Sequence, residues 1–291
     1  MDVKKVIVIG SGLMGSGIAQ VCAQAGIQVF LNDVSQTALD KAVKTIAWSV
    51  GKFIEKGNLA EKKETILDRI TPIRDLGPAS DADLAIEAVF EQLELKQRIF
   101  EELDRICAPN TLLASNTSAI PISELAAVTQ RADRVLGLHF FSPVPMMRVV
   151  EVVKGILTAD ETAEIGKKFV KKIGKESIMV NRDVAGFAIN RINLPSVIEA
   201  INLVEQGVVS VEDVDKGLRL GLGRKMGIFE TGDMVGLDVT YGGLTAMFNE
   251  TGDPRWYPPL LLRRKVKAGH LGRKTGRGWY RYDKDGNKIL S

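Results

Sequence analysis

The sequence predicts an α/β domain with a mostly parallel sheet, followed by a smaller all-α domain. Short apolar runs alternate with segments of helical periodicity as far as Val180, and from Val184 onward helical periodicity dominates. Strands that alternate with helices are joined by right-handed crossovers, and such crossovers produce parallel sheets. We therefore expect an α/β domain over residues 1–184 and a helical domain over residues 185–291.

The first elements of the chain show their periodicity clearly. Residues 6–9 form an uninterrupted apolar run, as expected of a parallel strand that is covered on both faces. Apolar residues then recur at helical spacing as far as Ala25, and Gly26 stands where a helix would end. A second apolar strand, residues 28–31, precedes a long helix over residues 37–56.

The later elements are predicted in the same way, strands from apolar runs and helices from amphipathic segments. The further strands of the first domain are predicted at residues 83–89, 111–115, 135–140, 149–153 and 177–180. Its further helices are predicted at residues 60–67, 93–106 and 123–128 and in the Lys-rich segment between the last two strands. The helices of the second domain are predicted at residues 187–206, 211–220, 234–249 and 258–268.

A glycine-rich turn joins the first strand to the first helix. Its glycines have the spacing G-x-G-x-x-G, and it consists of Gly10, Ser11, Gly12, Leu13, Met14 and Gly15. Glycines at this spacing permit a tight turn, a close approach of backbone N–H groups to a pyrophosphate, and close packing of helix on strand. The pyrophosphate would lie at the helix N-terminus, where unpaired N–H groups and the helix dipole favour negative charge. The turn therefore predicts a Rossmann-type dinucleotide site.

Asp33 indicates which dinucleotide binds. It ends the second strand, at the position where a carboxylate accepts hydrogen bonds from a ribose 2′-OH. No arginine that could receive a 2′-phosphate stands nearby, and a carboxylate would repel one. We therefore expect NAD rather than NADP as the cofactor. Ser35 is better interpreted as the N-cap of the next helix.

Composition argues against several other classes of partner. The chain is 45% apolar and 26% charged, as in ordinary globular proteins, and its formal charge of +3 is too small to indicate nucleic acid binding. Cys22 and Cys107 fit neither a metal-ligand spacing nor a disulfide framework, as is usual in a reducing compartment. The first strand begins almost at Met1, and no apolar run approaches the roughly 18 residues of a membrane span. We expect a cytoplasmic protein without metal, nucleic acid or membrane partners.

The two histidines of the chain differ in their surroundings. His270 lies in a glycine-rich basic stretch after a helix, where we expect a surface turn. His139 lies at the end of a predicted strand, on the edge of the sheet where the cofactor should bind. Hydride transfer from an alcohol requires a base for the hydroxyl proton, and imidazole is suited to that task. The alternative is a buried histidine with a structural role.

Glu151 lies inside the apolar strand 149–153, where a carboxylate is costly to bury unless it is paired. Pairing with His139 would fix the imidazole tautomer and stabilise the imidazolium formed during turnover. A salt bridge to Arg148 or Lys154 is the alternative, which the sequence alone leaves open. Other polar residues that follow predicted strands, and so belong to the same edge, are Glu87, Glu91, Asn116, Ser118 and Ser142.

Together these motifs resemble the short-chain L-3-hydroxyacyl-CoA dehydrogenase family. The glycine turn, Asp33 and Glu151 carry the resemblance, with the segments SNTSAI, GLHFFSPVP, GFAINRI and KAGHLGRKTGRGWY. It implies NAD-linked, reversible oxidation of (S)-3-hydroxyacyl-CoA to 3-oxoacyl-CoA, with short substrates such as 3-hydroxybutyryl-CoA preferred. It also implies an NAD-binding N-terminal domain, a helical C-terminal domain that forms a homodimer, and a cleft between the domains for the acyl-CoA.

The resemblance also implies roles for single residues. His139 matches the catalytic base and Glu151 its partner, while Ser118 and Asn190 match residues that complete the catalytic site and contact the substrate. Lys44 corresponds to a residue that meets the CoA phosphates. The positions that contact or border the cofactor, besides the glycine turn and Asp33, are Glu91, Lys96, Ser118, Ser142 and Lys274.

Two positions depart from the family pattern. The family commonly has Asn where this chain has Ser142, whose side chain has a shorter reach. Relatives usually read P-M-G-P where residues 225–228 read K-M-G-I. Loss of both prolines would loosen the turn leading into the helix predicted from Met234, which bears on acyl-chain specificity rather than on the chemistry.

Two other functions are compatible with the same fold. One is a dehydrogenase of a free hydroxy acid, such as a sugar acid or carnitine, and the other is a non-catalytic sensor that binds NAD. The intact set of Ser118, His139, Glu151 and Asn190 argues against the sensor.

Overall fold

The computed structural model describes residues 1–289. The chain divides into two compact units, of which the first is Met1–Val184 and the second begins at Ala185. Each unit has its own core of buried apolar side chains. No helix within the described range is long and apolar enough to cross a membrane.

The first unit is built on an eight-stranded sheet with the spatial order β3-β2-β1-β4-β5-β6-β7-β8. Neighbouring strands are parallel except β6 and β7, which pair antiparallel. This arrangement confirms the predicted mostly parallel sheet. In chain order the strands are β1 (Lys5–Ile9), β2 (Gln28–Asn32), β3 (Ile70–Ile73), β4 (Leu84–Glu87), β5 (Leu112–Ser115), β6 (Val135–Phe140), β7 (Val149–Lys154) and β8 (Glu176–Val180).

Each helix of this unit buries apolar side chains. The longest of them begins after Ser35, whose hydroxyl accepts a hydrogen bond from the N–H of Ala38 at 3.3 Å, as expected of an N-cap. The helices are α1 (Leu13–Gln24), α2 (Gln36–Glu55), α3 (Lys63–Leu67), α4 (Leu93–Ile106), α5 (Ile122–Ala126) and α6 (Asp160–Lys172).

The strand order brings several strand ends to one edge of the sheet. β1 lies between β2 and β4. The chain adds β2 and β3 on one side of β1 and then crosses to the other side, where it adds β4 and the later strands. The last residue of β1, Ile9, is level with Asn32 and Glu87, and Glu87 is level with Ser115. In open α/β sheets ligands bind outside the carboxyl ends of the strands where the strand order reverses. The edge after β1, β4 and β5 is therefore the place for a ligand.

Two details of the first unit differ from the sequence prediction. β3 was not expected, because its four residues include Pro72 and show no clear alternation; a proline is tolerated there because β3 is an edge strand. The helix predicted over residues 60–67 is wrong in its first turn, since α3 begins only at Lys63.

The second unit is mainly helical, as predicted, with a short hairpin after its last helix. Its helices are α7 (Ile189–Glu205), α8 (Val211–Leu222), α9 (Ile228–Val235), α10 (Leu237–Thr251) and α11 (Leu260–Lys267). The hairpin strands, β9 (Arg281–Tyr282) and β10 (Lys288–Ile289), pair antiparallel and were not predicted, because two-residue strands leave no periodicity in the sequence.

The helix predicted over residues 234–249 is confirmed from Leu237 onward as α10, but its first two residues belong to a separate helix, α9, that was not predicted. The chain forms two helices, α9 and α10, that meet at Gly236, whose φ of 113° an L side chain rarely adopts. Residues 225–228 therefore lead into α9 at Ile228 and not into a helix near Met234. The buried carboxylate of Asp215 accepts hydrogen bonds from the N–H groups of Phe229 and Glu230, at 2.9 Å each, and so caps the start of α9.

A second buried carboxylate, Asp233, holds the segment that leads into the hairpin. It accepts hydrogen bonds from the N–H groups of Trp279 and Tyr280 at 2.8 and 2.9 Å, and from the hydroxyl of Tyr282 at 3.0 Å. The hydroxyl of Tyr280 donates to Asp215 at 2.8 Å. The two aspartates thus link the helices of this unit to its C-terminal segment.

Candidate active site

The glycine-rich turn after β1 has the geometry of an anion site. Gly10 has a φ of 98°, and a Cβ on Gly15 would lie 1.8 Å from the carbonyl oxygen of Gly10, so only glycine fits at both positions. Gly12 is exposed, and a Cβ there would meet no protein atom within 4 Å. No side chain caps the N-terminus of α1. Its first N–H groups are therefore free to bind a pyrophosphate, and the residues present fit NAD.

Asp33 lies beside this turn and is held there by three hydrogen bonds. One carboxylate oxygen accepts from the N–H and the hydroxyl of Ser11, at 3.0 and 2.8 Å, and the other accepts from the N–H of Ser35 at 3.0 Å. Burial by itself would raise the pKa of Asp33, but the hydrogen bonds outweigh it and hold the pKa below its ordinary value. A carboxylate that stays ionised and fixed at this point disfavours a 2′-phosphate.

His139 and Glu151 lie directly opposite each other on the antiparallel strands β6 and β7. The Nδ1 atom of His139 is 2.6 Å from a carboxylate oxygen of Glu151, and both side chains are buried. The alternative salt-bridge partner Lys154, on the same strand as Glu151, pairs with Asp160 at 2.5 Å. A proton on Nδ1 that is donated to the carboxylate leaves Nε2 of His139 as a proton acceptor.

The hydroxyl of Ser118 lies 3.0 Å from Nε2 of His139. Ser118 follows β5, so the two residues come from the ends of neighbouring strands. Asn116, between β5 and Ser118, accepts a hydrogen bond from the N–H of Phe140 at 2.9 Å and ties the two strand ends together. The structure therefore brings Ser118, His139 and Glu151 into one hydrogen-bonded array at the carboxyl edge of the sheet.

Glu91 organises the segment that contains Ser118. One of its oxygens accepts hydrogen bonds from the N–H groups of Ser118 and Ala119, at 2.9 and 3.1 Å, and from the hydroxyl of Thr117. Partial burial would raise the pKa of Glu91, but the charge of Lys96 and the hydrogen bonds from Thr117 and Ser118 lower it below the ordinary value. The carboxylate is therefore ionised in the range where enzymes work.

Lys96 lies in a position that the sequence did not reveal. Its side chain is only 1% exposed, and its ammonium nitrogen is 2.6 Å from Glu87 and 3.2 Å from Glu91. Glu87 ends β4 and is fully buried. The available signal was a glutamate inside an apolar strand, which requires a buried partner, but the sequence offered no means of choosing Lys96.

The remaining candidate residues lie apart from this array or in the second unit. Ser142 lies just beyond the end of β6, and Lys44 is exposed on α2, near Lys41 and Trp48. Asn190 belongs to the first turn of α7 in the second unit. Lys274, also in the second unit, pairs with Asp238 at 2.6 Å.

The chemistry of this edge is that of hydride transfer. A phosphate-binding turn and an ionised Asp33 at its side suit a dinucleotide, and a carboxylate-paired histidine at the same edge suits a hydroxyl proton. Among residues 1–289 no cluster of side chains could hold a metal ion. The fold and the site therefore define an NAD-dependent dehydrogenase.

Comparison with known proteins gives the family. The model of the 3-hydroxyacyl-CoA dehydrogenase NAD-binding domain matches residues 5–184, and the model of the 3-hydroxyacyl-CoA dehydrogenase C-terminal domain matches residues 186–282. A 3-hydroxybutyryl-CoA dehydrogenase of Bradyrhizobium diazoefficiens is 42% identical over 96% of this chain and 96% of its own length. The chain belongs to the 3-hydroxyacyl-CoA dehydrogenase family, which confirms the resemblance inferred from the motifs.

Solved structures agree with this assignment. The crystal structure of FadB2 from Mycobacterium tuberculosis superposes with a TM-score of 0.93 at 40% identity, covering 97% of this chain and 100% of the other. The (S)-3-hydroxybutyryl-CoA dehydrogenase PaaH1 from Ralstonia eutropha superposes with a TM-score of 0.90 at 41% identity, with the same coverage of both chains.

Substitutions in the glycine turn should separate folding from cofactor binding. Gly15→Ala places a methyl group against the carbonyl of Gly10, so we expect the free energy of unfolding to fall by about 3 kcal/mol or more. Gly12→Ala is the matched control for folding, because its methyl group meets no protein atom within 4 Å. It should unfold like the wild type yet bind NADH about tenfold or more weakly, because the methyl group blocks the approach of the pyrophosphate.

Urea unfolding and fluorescence titration with NADH provide the two measurements. A Gly12→Ala protein that binds NADH with wild-type affinity would place the pyrophosphate elsewhere.

Proposed function

We propose that the chain catalyses the reversible, NAD-dependent oxidation of (S)-3-hydroxyacyl-CoA to 3-oxoacyl-CoA, with short substrates such as 3-hydroxybutyryl-CoA preferred. The observation that carries this proposal is the array of Ser118, His139 and Glu151 beside the phosphate-binding turn. Membership of the family supports the CoA thioester class. The names of full-length relatives near 40% identity support the short acyl chain.

His139 acts as the general base in oxidation. NAD supplies the acceptor for the hydride from carbon 3 of the substrate. The Nε2 atom of His139 takes the hydroxyl proton, and Glu151 at 2.6 Å from Nδ1 stabilises the imidazolium that forms. In reduction the imidazolium returns the proton to the oxygen. Ser118, at 3.0 Å from Nε2, is placed to hydrogen-bond the same substrate oxygen and orient it towards the base.

Further residues have proposed roles in binding. Asp33 receives the ribose hydroxyls, and the turn over residues 10–15 receives the pyrophosphate. Asn190 completes the site from the second domain, and Lys44 meets the CoA phosphates, supported by its exposure beside a second lysine on α2. The residues proposed to lie beside the cofactor are Glu91, Lys96, Ser142 and Lys274. The side chain of Lys96 is buried, so its effect on the cofactor is indirect.

The two domains have separate proposed tasks. Residues 1–184 bind NAD, while residues 185–291 contribute to the acyl-CoA site and to a homodimer. The support is the separate match of the two family models to the two parts of the chain. We place the protein in the cytoplasm, supported by two buried cysteines that remain free thiols.

A steady-state assay tests the substrate class. We expect the protein to consume NADH with acetoacetyl-CoA, to prefer it to longer 3-oxoacyl-CoA chains of up to sixteen carbons, and to work poorly with NADPH. Free acetoacetate is the matched control, since it lacks only the CoA group. Activity on free acetoacetate with none on acetoacetyl-CoA would support a hydroxy-acid dehydrogenase instead. Binding of NADH without turnover of either substrate would support a non-catalytic sensor.

Replacement of the base should abolish most of the turnover. His139→Gln removes the proton acceptor, so we expect kcat to fall roughly 10²–10⁴-fold while the affinity for NADH stays unchanged. His270→Gln is the matched control, because it changes the other histidine of the chain. Near-normal turnover by His139→Gln would contradict the assignment of the base.

Replacement of the partner carboxylate should have a smaller effect and change the pH dependence. Glu151→Gln removes the negative charge that stabilises the imidazolium formed during turnover. We therefore expect kcat to fall about 10–100-fold and the pH profile of oxidation to change. Asp160→Asn is the control, because it removes the carboxylate that pairs with Lys154, another residue of β7. A pH profile of Glu151→Gln identical to that of the wild type would show that Glu151 does not act on the imidazolium.

A further inference from the structure

We propose that Glu87 is a positioning residue of this active site. It anchors the segment over residues 117–119 that places the Ser118 hydroxyl against the imidazole. The inference rests on the proposed function in one respect, namely that the contact between Ser118 and His139 serves turnover.

Glu87 is fully buried, and both of its carboxylate oxygens have polar partners. One carboxylate oxygen is 2.6 Å from the ammonium of Lys96 and accepts the N–H of Val89 at 2.7 Å. The other oxygen accepts the hydroxyl of Ser115 at 2.6 Å. A buried carboxylate is costly unless it is paired and hydrogen-bonded, and this one meets both conditions.

The first route from Glu87 to the catalytic array runs through Lys96. The ammonium of Lys96 lies between two carboxylates, 2.6 Å from Glu87 and 3.2 Å from Glu91. Because its side chain is only 1% exposed, water offers it no alternative position. Glu87 is its shortest contact, with the carbonyl oxygen of Val89 at 3.4 Å as a further acceptor, and the cation in turn holds one oxygen of Glu91.

Glu91 completes this route with its second oxygen. That oxygen accepts the N–H groups of Ser118 and Ala119, and the hydroxyl of Thr117, so the segment is wrapped around the carboxylate. With its backbone held in this way, Ser118 places its hydroxyl 3.0 Å from Nε2 of His139. A rotation of Glu91 would move the segment and this hydroxyl together.

The second route is shorter and begins at the other oxygen of Glu87. This oxygen orients the hydroxyl of Ser115, which accepts the N–H of Thr117 at 3.1 Å. Both routes therefore begin at Glu87 and end in residues 117–119. Stability alone does not explain the ion pair of Glu87 and Lys96, because well-packed apolar residues in place of a buried ion pair often leave a protein equally stable.

The test uses Glu87→Gln, Lys96→Met and the double variant, with Ser118→Ala as the reference for a lost contact to His139. Each protein is measured for thermal unfolding, for kcat and KM, and for the imidazole ¹⁵N resonances. The chain contains only two histidines, so His270→Gln assigns those resonances.

The matched control is another ion pair of the same helix. Asp104 near the end of α4 is 2.7 Å from Arg131, and both side chains are 12% exposed. Asp104→Asn, Arg131→Met and their double variant should lower the unfolding temperature but leave kcat and the imidazole resonances unchanged.

For the Glu87 pair we expect two separable effects. Lys96→Met leaves the buried carboxylate of Glu87 without its cation, and Glu87→Gln leaves the buried ammonium of Lys96 only its longer contact with Glu91. The unfolding temperature of each single variant should therefore fall by on the order of 10 °C, and the double variant should regain most of it. In the double variant kcat should remain about 10–100-fold low, because the cation no longer holds Glu91. Its Nε2 resonance should move towards that of Ser118→Ala.

A double variant with wild-type kcat and a wild-type Nε2 resonance would overturn the proposal and leave Glu87 a structural role only. If the double variant does not fold, Glu91→Gln provides the test, because Glu91 is partly exposed. An Nε2 resonance of His139 that does not move in Glu91→Gln would contradict the first route. If the wild type turns over no acyl-CoA, the proposed function fails, whereas the resonances still test the positioning.

Discussion

The antiparallel pairing of β6 with β7 is the constraint on which the site depends. It is the only antiparallel pair in the eight-stranded sheet, and its register sets Glu151 directly opposite His139. Directly opposed side chains project from the same face at close range, so the 2.6 Å contact follows from the backbone. A one-residue slip would move Glu151 to the other face, where the imidazole would lose its partner and a buried charge would stand alone.

The parallel strands β1, β2 and β4 bring the other polar features of the site to the same edge of the sheet. Because the ends of β1, β2 and β4 are level, the glycine turn, Asp33 and the buried Glu87 meet at one edge. The turn and Asp33 lie together at the N-terminus of α1, whereas Glu87 is fully buried and is hydrogen-bonded to Ser115 of β5. The edge therefore combines an exposed glycine turn with a buried polar network behind it, and such a network can hold side chains in fixed orientations.

Much of the fold could be predicted because its signals are local. Apolar runs and helical periodicity placed seven of the eight sheet strands, and the glycine spacing placed the cofactor turn. The errors occurred where local signals conflict with packing. The helix predicted over residues 234–249 overlooked α9, because Gly236 separates α9 from α10 and the start of α9 is capped by Asp215, which lies outside the helix. The edge strand β3 contains a proline that argues against a strand until its position at the edge is known.

For the site, the sequence by itself determined which chemical groups are present: a glycine-rich turn, an aspartate after the second strand, a histidine at a strand end and a carboxylate in an apolar strand. These features are properties of residue type and spacing along one element. Only the tertiary structure decided the pairings, since it places His139 against Glu151 and Lys154 against Asp160, and places Lys96 between Glu87 and Glu91. Pairings of this kind depend on strand register and burial, which arise between elements and leave no pattern within any one of them.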